Sequence, residues 1–83
     1  MKRIVVLGAG ESGTGAAILA KSKGMDVFVS DQGEISPIYQ ALLEKHQIAW
    51  EAGQHTEELI KNADEIIKSP GIPLTTPLMQ QIL

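Results

Sequence analysis

Residues 3–13 read RIVVLGAGESG. The first five, Arg3–Leu7, are mostly aliphatic and β-branched with no alternation of polar positions, the composition of a strand buried on both faces. The strand runs straight into a loop with the spacing G-x-G-x-x-G, set by Gly8, Gly10 and Gly13. A helix is expected to open on that loop, which makes the stretch a βα unit. Each glycine has its own task. Gly8 permits the tight turn out of the strand. Gly10 has no side chain to keep a phosphate from the backbone. Gly13 lets the helix lie close to the strand. The helix N-terminus then turns unpaired N–H groups and a partial positive charge toward an anion. Ser12 adds a hydroxyl donor. A carboxylate in such a loop repels phosphate, so the Glu11 side chain is expected to face solvent and leave its N–H for a ligand.

Working outward, apolar and amphipathic segments alternate along the whole chain. A helix is predicted over 13–23 with Gly24 as its stop, its small residues Gly13, Ala16, Ala17 and Ala20 on one side. DVFVS at 26–30 is a second strand. Ser36-Pro37 is a cap followed by proline at the first helical position, and Ile38, Leu42 and Leu43 are expected to point inward before the helix ends near His46. A third strand covers 48–51, a turn 53–55, and a short helix 56–62 with Leu59 and Ile60 as its apolar side. DEIIK at 64–68 is a fourth strand, followed by the stiff loop SPGIP at 69–73. Thr76-Pro77 repeats the cap-plus-proline signature for a last helix over 77–83. Strict alternation predicts an α/β fold, a mostly parallel sheet of about four or five strands with helices on both faces and right-handed connections. The chain stops inside the apolar run MQQIL, which suggests a domain cut from a longer protein.

Composition narrows the function. The 83 residues are enough for one small domain, and they contain no cysteine, which excludes disulfides and thiolate metal sites. The two histidines, His46 and His55, have no partner at ligand spacing, so no metal site is expected. The formal net charge of −3 argues against non-specific nucleic-acid binding, which needs a basic footprint. No apolar run approaches the ~20 residues that cross a bilayer, and Met1-Lys2-Arg3-Ile4 leads directly into a strand, unlike a signal peptide. A cytoplasmic protein without membrane contact is expected.

Two further features bear on the ligand. Asp31 closes the second strand, where an acid accepts hydrogen bonds from a ribose diol in a dinucleotide site. Gln32 and Gly33 supply further donors at the same edge. Pro70 and Gly71 stiffen and free, respectively, the backbone of SPGIP. Its place after the fourth strand sets it on the sheet edge that also carries the glycine loop, with the Gly71 N–H as another possible anion donor. The glycine loop and Asp31 alone leave open a nicotinamide-binding domain of an oxidoreductase, or a regulatory nucleotide-sensing module.

VVLGAGESGTGAA, then VSD at 29–31, then ADEIIKSPGIP together resemble the N-terminal domain of the bacterial Mur ligases over essentially the whole chain. SPGIP after a D-x-I-I strand is the most specific part, since nicotinamide-binding domains do not carry it. The resemblance implies a Rossmann-like three-layer αβα fold that binds no nicotinamide and no cofactor of its own. It implies one domain over 1–83, the first of three, that holds the UDP part of UDP-N-acetylmuramoyl-L-alanine while D-glutamate is added. ATP and Mg²⁺ belong to the full-length enzyme, with ATP on a central domain and a C-terminal domain closing over the site. Carried over by residue, Gly10, Glu11, Ser12 and Gly13 form the loop against the nucleotide, through backbone N–H groups and the Ser12 hydroxyl. Asp31 takes the uracil ring N–H, the Gln32 backbone meets the uracil edge, and Gly71 lies near the diphosphate and sugar. Gly33 departs from the pattern, in which a bulky basic residue often covers the uracil. No G-x-x-x-x-G-K-[ST] phosphate loop occurs in this sequence, so no catalytic residue is expected here and the chain alone is expected to be inactive.

Other residues are read more plainly. His46 is expected to meet the dipole at a helix end. His55 opens a helix at a turn, with a structural or solvent role expected and a place near the ligand edge as the alternative. Tyr39 and Trp50 are expected to pack partly against the core. Glu57, Glu58, Asp64 and Glu65 lack metal-ligand spacing and read as a solvated face.

Overall fold

The structure is a computed structural model and describes residues 2–68. The expected loop at 69–73, with Gly71, and the expected helix at 77–83 lie outside the described residues. Within them the order is β1 (Arg3–Leu7), α1 (Glu11–Ser22), β2 (Asp26–Asp31), α2 (Pro37–Lys45), β3 (Ala49–Ala52), α3 (Glu57–Lys61) and β4 (Glu65–Lys68). The four strands form one sheet in the order β3-β2-β1-β4, and every pairing is parallel. The expected fold is present.

β1 and β2 are buried on both faces, as their unbroken apolar runs require. Their side chains alternate between two cores. Ile4, Val6, Val27 and Val29 face α1 and α2, packing with Ala17, Ala20, Ile35, Leu43 and Ile48. Val5, Leu7 and Phe28 face the other way and pack with Ile60 of α3. The chain steps from β1 to β2 to β3 in one direction with both helices on one face. It then returns to the far side of β1 with α3 on the opposite face, the arrangement that right-handed connections produce. The reversal puts a topological switch point at the carboxyl ends of β1 and β4, where open α/β sheets bind ligands.

Some local expectations shift. α1 begins at Glu11 with Gly10 as its N-cap, so Gly13 lies inside the first turn rather than at the start. β2 extends one residue further, to Asp31. On α2 only Leu43 is fully buried; Leu42 is half-buried and Ile38 is 64% exposed. At ~100° per residue, Ile38 lies about 140° around the helix from Leu43, so both cannot meet the sheet. On α3, Ile60 is buried and its neighbour Leu59 is exposed. Tyr39 and Trp50 pack half-buried against the larger core.

The amino end of the sheet is tied by Arg3. Its backbone N–H donates to Asp64 Oδ2 at 2.7 Å. Its guanidinium donates to Asp26 Oδ2 at 2.9 Å and to the Leu59 carbonyl at 3.0 Å, and stands 5.6 Å from the Phe28 ring centroid. No helix of the described residues is long and apolar enough to cross a membrane.

Candidate functional site

The site is built on the carboxyl ends of β1 and β2. Gly8 leaves β1 with φ of +101°, a conformation L side chains rarely adopt. Its N–H still donates to the Ser30 carbonyl at 2.8 Å, extending the ladder one step past the strand. Gly13 is held against this turn. A Cβ there would stand 1.8 Å from the Gly8 carbonyl oxygen and 3.4 Å from Cγ1 of Val6. Close approach of helix and strand therefore depends on glycine at 13, as the spacing predicts.

Gly10 differs. Its φ is −78°, and a Cβ there would meet nothing within 4 Å. Among the described residues nothing requires glycine at this position. The first-turn N–H groups of Glu11, Ser12 and Gly13 have no intrahelical acceptor, and the N-cap, Gly10, brings no side chain to meet them. Glu11 and Ser12 are exposed and Gly13 is buried. Thr14, buried behind the loop, donates from Oγ1 to the Ala9 carbonyl at 3.2 Å and from its N–H to the Gly10 carbonyl at 2.9 Å.

Asp31 joins the two loops of the rim. Its Oδ2 accepts from the Ala9 N–H at 2.8 Å, and its Oδ1 accepts from the Gly33 N–H at 2.8 Å. Sequence reasoning treated this acid as a ligand group and missed its second task of fixing the glycine loop against the β2–α2 loop. Each carboxylate oxygen keeps a lone pair for a ligand. Gln32 and Gly33 beside it are exposed. The structure thus brings Gly10, Glu11, Ser12, Gly13, Asp31 and Gln32 to one edge of the sheet, while Gly71 lies outside the described residues.

A polar cluster next to Asp31 was not anticipated. Ser30, fully buried, pairs across the sheet with Glu51. Its Oγ lies 2.8 Å from Glu51 Oε2, 3.2 Å from the Gln54 carbonyl and 2.6 Å from His55 Nδ1. Glu51 also accepts from the Thr56 N–H at 2.7 Å and from Thr56 Oγ1 at 2.5 Å. Burial alone would raise the Glu51 pKa, but the hydrogen bonds from Thr56, Ser30 and Gln54 outweigh it and hold the carboxyl below its ordinary value. For His55, burial lowers the pKa and outweighs the opposing pull of Glu51 and Asp31. The one hint in the sequence was Ser30 itself, a hydroxyl in an otherwise apolar strand interior. Its partners come from strand register and a turn, which local patterns do not encode. His46 caps the end of α2, as expected.

Strand order, glycine loop and acid at the end of β2 place the chain among the Rossmann-like α/β domains. More narrowly, residues 2–83 match the family model described as Mur ligase MurD-like, N-terminal domain, and the chain belongs to that family. It is 65% identical over 82 residues to the UDP-N-acetylmuramoylalanine--D-glutamate ligase of Bacteroides thetaiotaomicron, covering 99% of this chain and 18% of that protein. The ligase of the same name from Porphyromonas gingivalis W83 is 60% identical over 78 residues, 94% of this chain and 17% of that protein. That of Christiangramia forsetii is 51% identical over 81 residues, 98% of this chain and 18% of that protein. The chain therefore spans less than a fifth of the length of these relatives.

Proposed function

We propose that residues 1–83 form the N-terminal domain of a three-domain amide ligase of peptidoglycan synthesis in the cytoplasm. The domain holds the UDP moiety of UDP-N-acetylmuramoyl-L-alanine during ATP-dependent addition of D-glutamate. The observation that carries this reading is the Asp31 carboxylate, bonded to the glycine loop on one side and the β2–α2 loop on the other, in a chain of the MurD-like family. The uncapped first turn of α1 offers N–H groups to the diphosphate, and the open space at Gly10 lets it approach. Ser12 adds its hydroxyl. Asp31 accepts the uracil N–H, the Gln32 backbone meets the uracil edge, and Gly71 serves the diphosphate and sugar. Family membership favours this reading over a nicotinamide site, which rests on the glycine loop and Asp31 alone.

The chemistry of the whole enzyme makes an acyl phosphate from the substrate carboxylate and ATP, then lets an amine displace phosphate. ATP and Mg²⁺ are bound by the rest of the enzyme, because these residues include no phosphate loop with lysine. This domain binds and orients, so its variants change KM more than kcat. In the full-length ligase, Asp31→Ala removes a charge-assisted hydrogen bond worth about 1.5–3 kcal/mol. KM for the UDP-sugar then rises roughly 10- to 100-fold, and Asp31→Asn, which keeps one acceptor oxygen, falls between. An unchanged KM in Asp31→Ala would remove Asp31 from the site.

A further inference from the structure

The cluster of Ser30, Glu51 and His55 fixes the form of the His55 ring. Ser30 Oγ carries one proton and has three neighbours, Glu51 Oε2, the Gln54 carbonyl and His55 Nδ1. The first two only accept, since the Glu51 carboxyl, held below its ordinary pKa, is ionised near neutral pH. The Ser30 proton goes to one of them. The 2.6 Å contact is then a bond in which Nδ1–H donates to Ser30 Oγ. With the proton on Nδ1, the neutral ring keeps a lone pair on Nε2. Among the described residues no hydrogen bond to Nε2 is present and no buried side-chain nitrogen or oxygen lacks a partner, so none of them closes Nε2 off from solvent. The loop that carries it is pinned to the ligand rim, because the Gly53 N–H donates to the Gly33 carbonyl at 2.9 Å, two residues from Asp31.

We propose that His55 is a further binding residue of this site, its Nε2 accepting a hydrogen bond from a ribose hydroxyl of the bound uridine nucleotide. The assignment rests on the uridine reading given above. Uracil joined to ribose has a single ring N–H, which that reading gives to Asp31. The donors left on the nucleoside are the 2′- and 3′-hydroxyls, and an outward-facing acceptor suits them. The arrangement is also selective. A neutral imidazole takes a hydroxyl donor without adding a positive charge next to the diphosphate loop, and Ser30 fixes which nitrogen is offered.

The test uses the full-length ligase, with UDP and 2′,3′-dideoxy-UDP as competitive inhibitors against the UDP-sugar substrate. His55→Phe is expected to weaken UDP about tenfold and to leave the dideoxy analogue unchanged. His55→Asn, whose amide nitrogen stands where Nδ1 stood and keeps the bond to Ser30, provides a second variant in which the loop stays anchored, and it too should lose more on UDP than on the analogue. The preference of wild type over His55→Phe for UDP should be full while the ring is neutral and shrink as the pH falls through the His55 pKa, which lies below the ordinary histidine value. Burial of the ring opposes its protonation and outweighs the charges of Glu51 on β3 and Asp31 on β2, which favour it, so the pKa is lowered. A proton on Nε2 removes the acceptor, so affinity is lost as pH falls. Equal losses on UDP and the analogue, or no loss on either, overturn the assignment. If wild type binds UDP and Asp31→Ala weakens it while both His55 variants do not, the His55 assignment alone falls. If wild type binds no UDP, the uridine reading falls and takes the assignment with it.

Discussion

Gly10 and Gly13 belong to one motif but answer to different constraints. At Gly13 a methyl group would collide with the Gly8 carbonyl at 1.8 Å, and backbone cannot rotate aside as a side chain can. Gly13→Ala should cost about 3 kcal/mol of stability or leave the chain unfolded. At Gly10 no described residue would meet a Cβ, and φ is ordinary. Gly10→Ser places a good N-cap residue on α1 and should shift stability by less than about 0.5 kcal/mol. In the full-length ligase the same substitution should weaken the UDP-sugar about tenfold, because the serine occupies the approach to the loop. Urea denaturation of both variants and substrate titration of Gly10→Ser check the pair. A Gly10→Ser protein that is stable and binds normally would mean that glycine at 10 serves no ligand. The motif spacing already divides these two expected roles; what it does not give is what each glycine touches, which only the fold supplies.

At the scale of elements, the helices α1 and α2 end in the same way. After α1, the Gly24 N–H reaches the Lys21 carbonyl and the Met25 N–H reaches the Ala20 carbonyl. After α2, the Gln47 N–H reaches Glu44 and the Ile48 N–H reaches Leu43. Both are Schellman ends with a left-handed residue just past the cap. Gly24 takes that position at φ +82° without strain, whereas Gln47 takes it at φ +59°. Left-handed backbone costs an L residue about 1–2 kcal/mol, partly offset in a glycine variant by the greater freedom of its unfolded chain. Gln47→Gly should therefore stabilise the chain by about 0.5–1 kcal/mol, read as a higher urea midpoint; a lower midpoint contradicts this account of the turn. The same contrast explains what was legible. Gly24 and Ser36-Pro37 announce a stop and a start because their residue types carry the backbone geometry. Gln47 carries no such signature, and the inward face of α2 was read too broadly because Ile38, Leu42 and Leu43 look alike in composition. The Ser30–Glu51–His55 cluster was hidden more deeply. It exists because parallel register sets Ser30 against Glu51, a contact twenty-one residues apart in sequence.

Over the whole molecule, the alternation of apolar and amphipathic segments was enough to specify a parallel sheet, and the right-handed rule was enough to place its helices. The result is a rim where β1 and β2 deliver a phosphate-type loop and an acid side by side. That rim is generic to the fold; membership of the MurD-like family is what supports the proposal of a uridine nucleotide there. Affinity in the complete enzyme decides the matter. Calorimetric titration of the full-length ligase with UDP-N-acetylmuramoyl-L-alanine should give micromolar binding, and NADH, even in large excess, should not displace it. Micromolar binding of NADH with no uptake of the UDP-sugar would contradict the account.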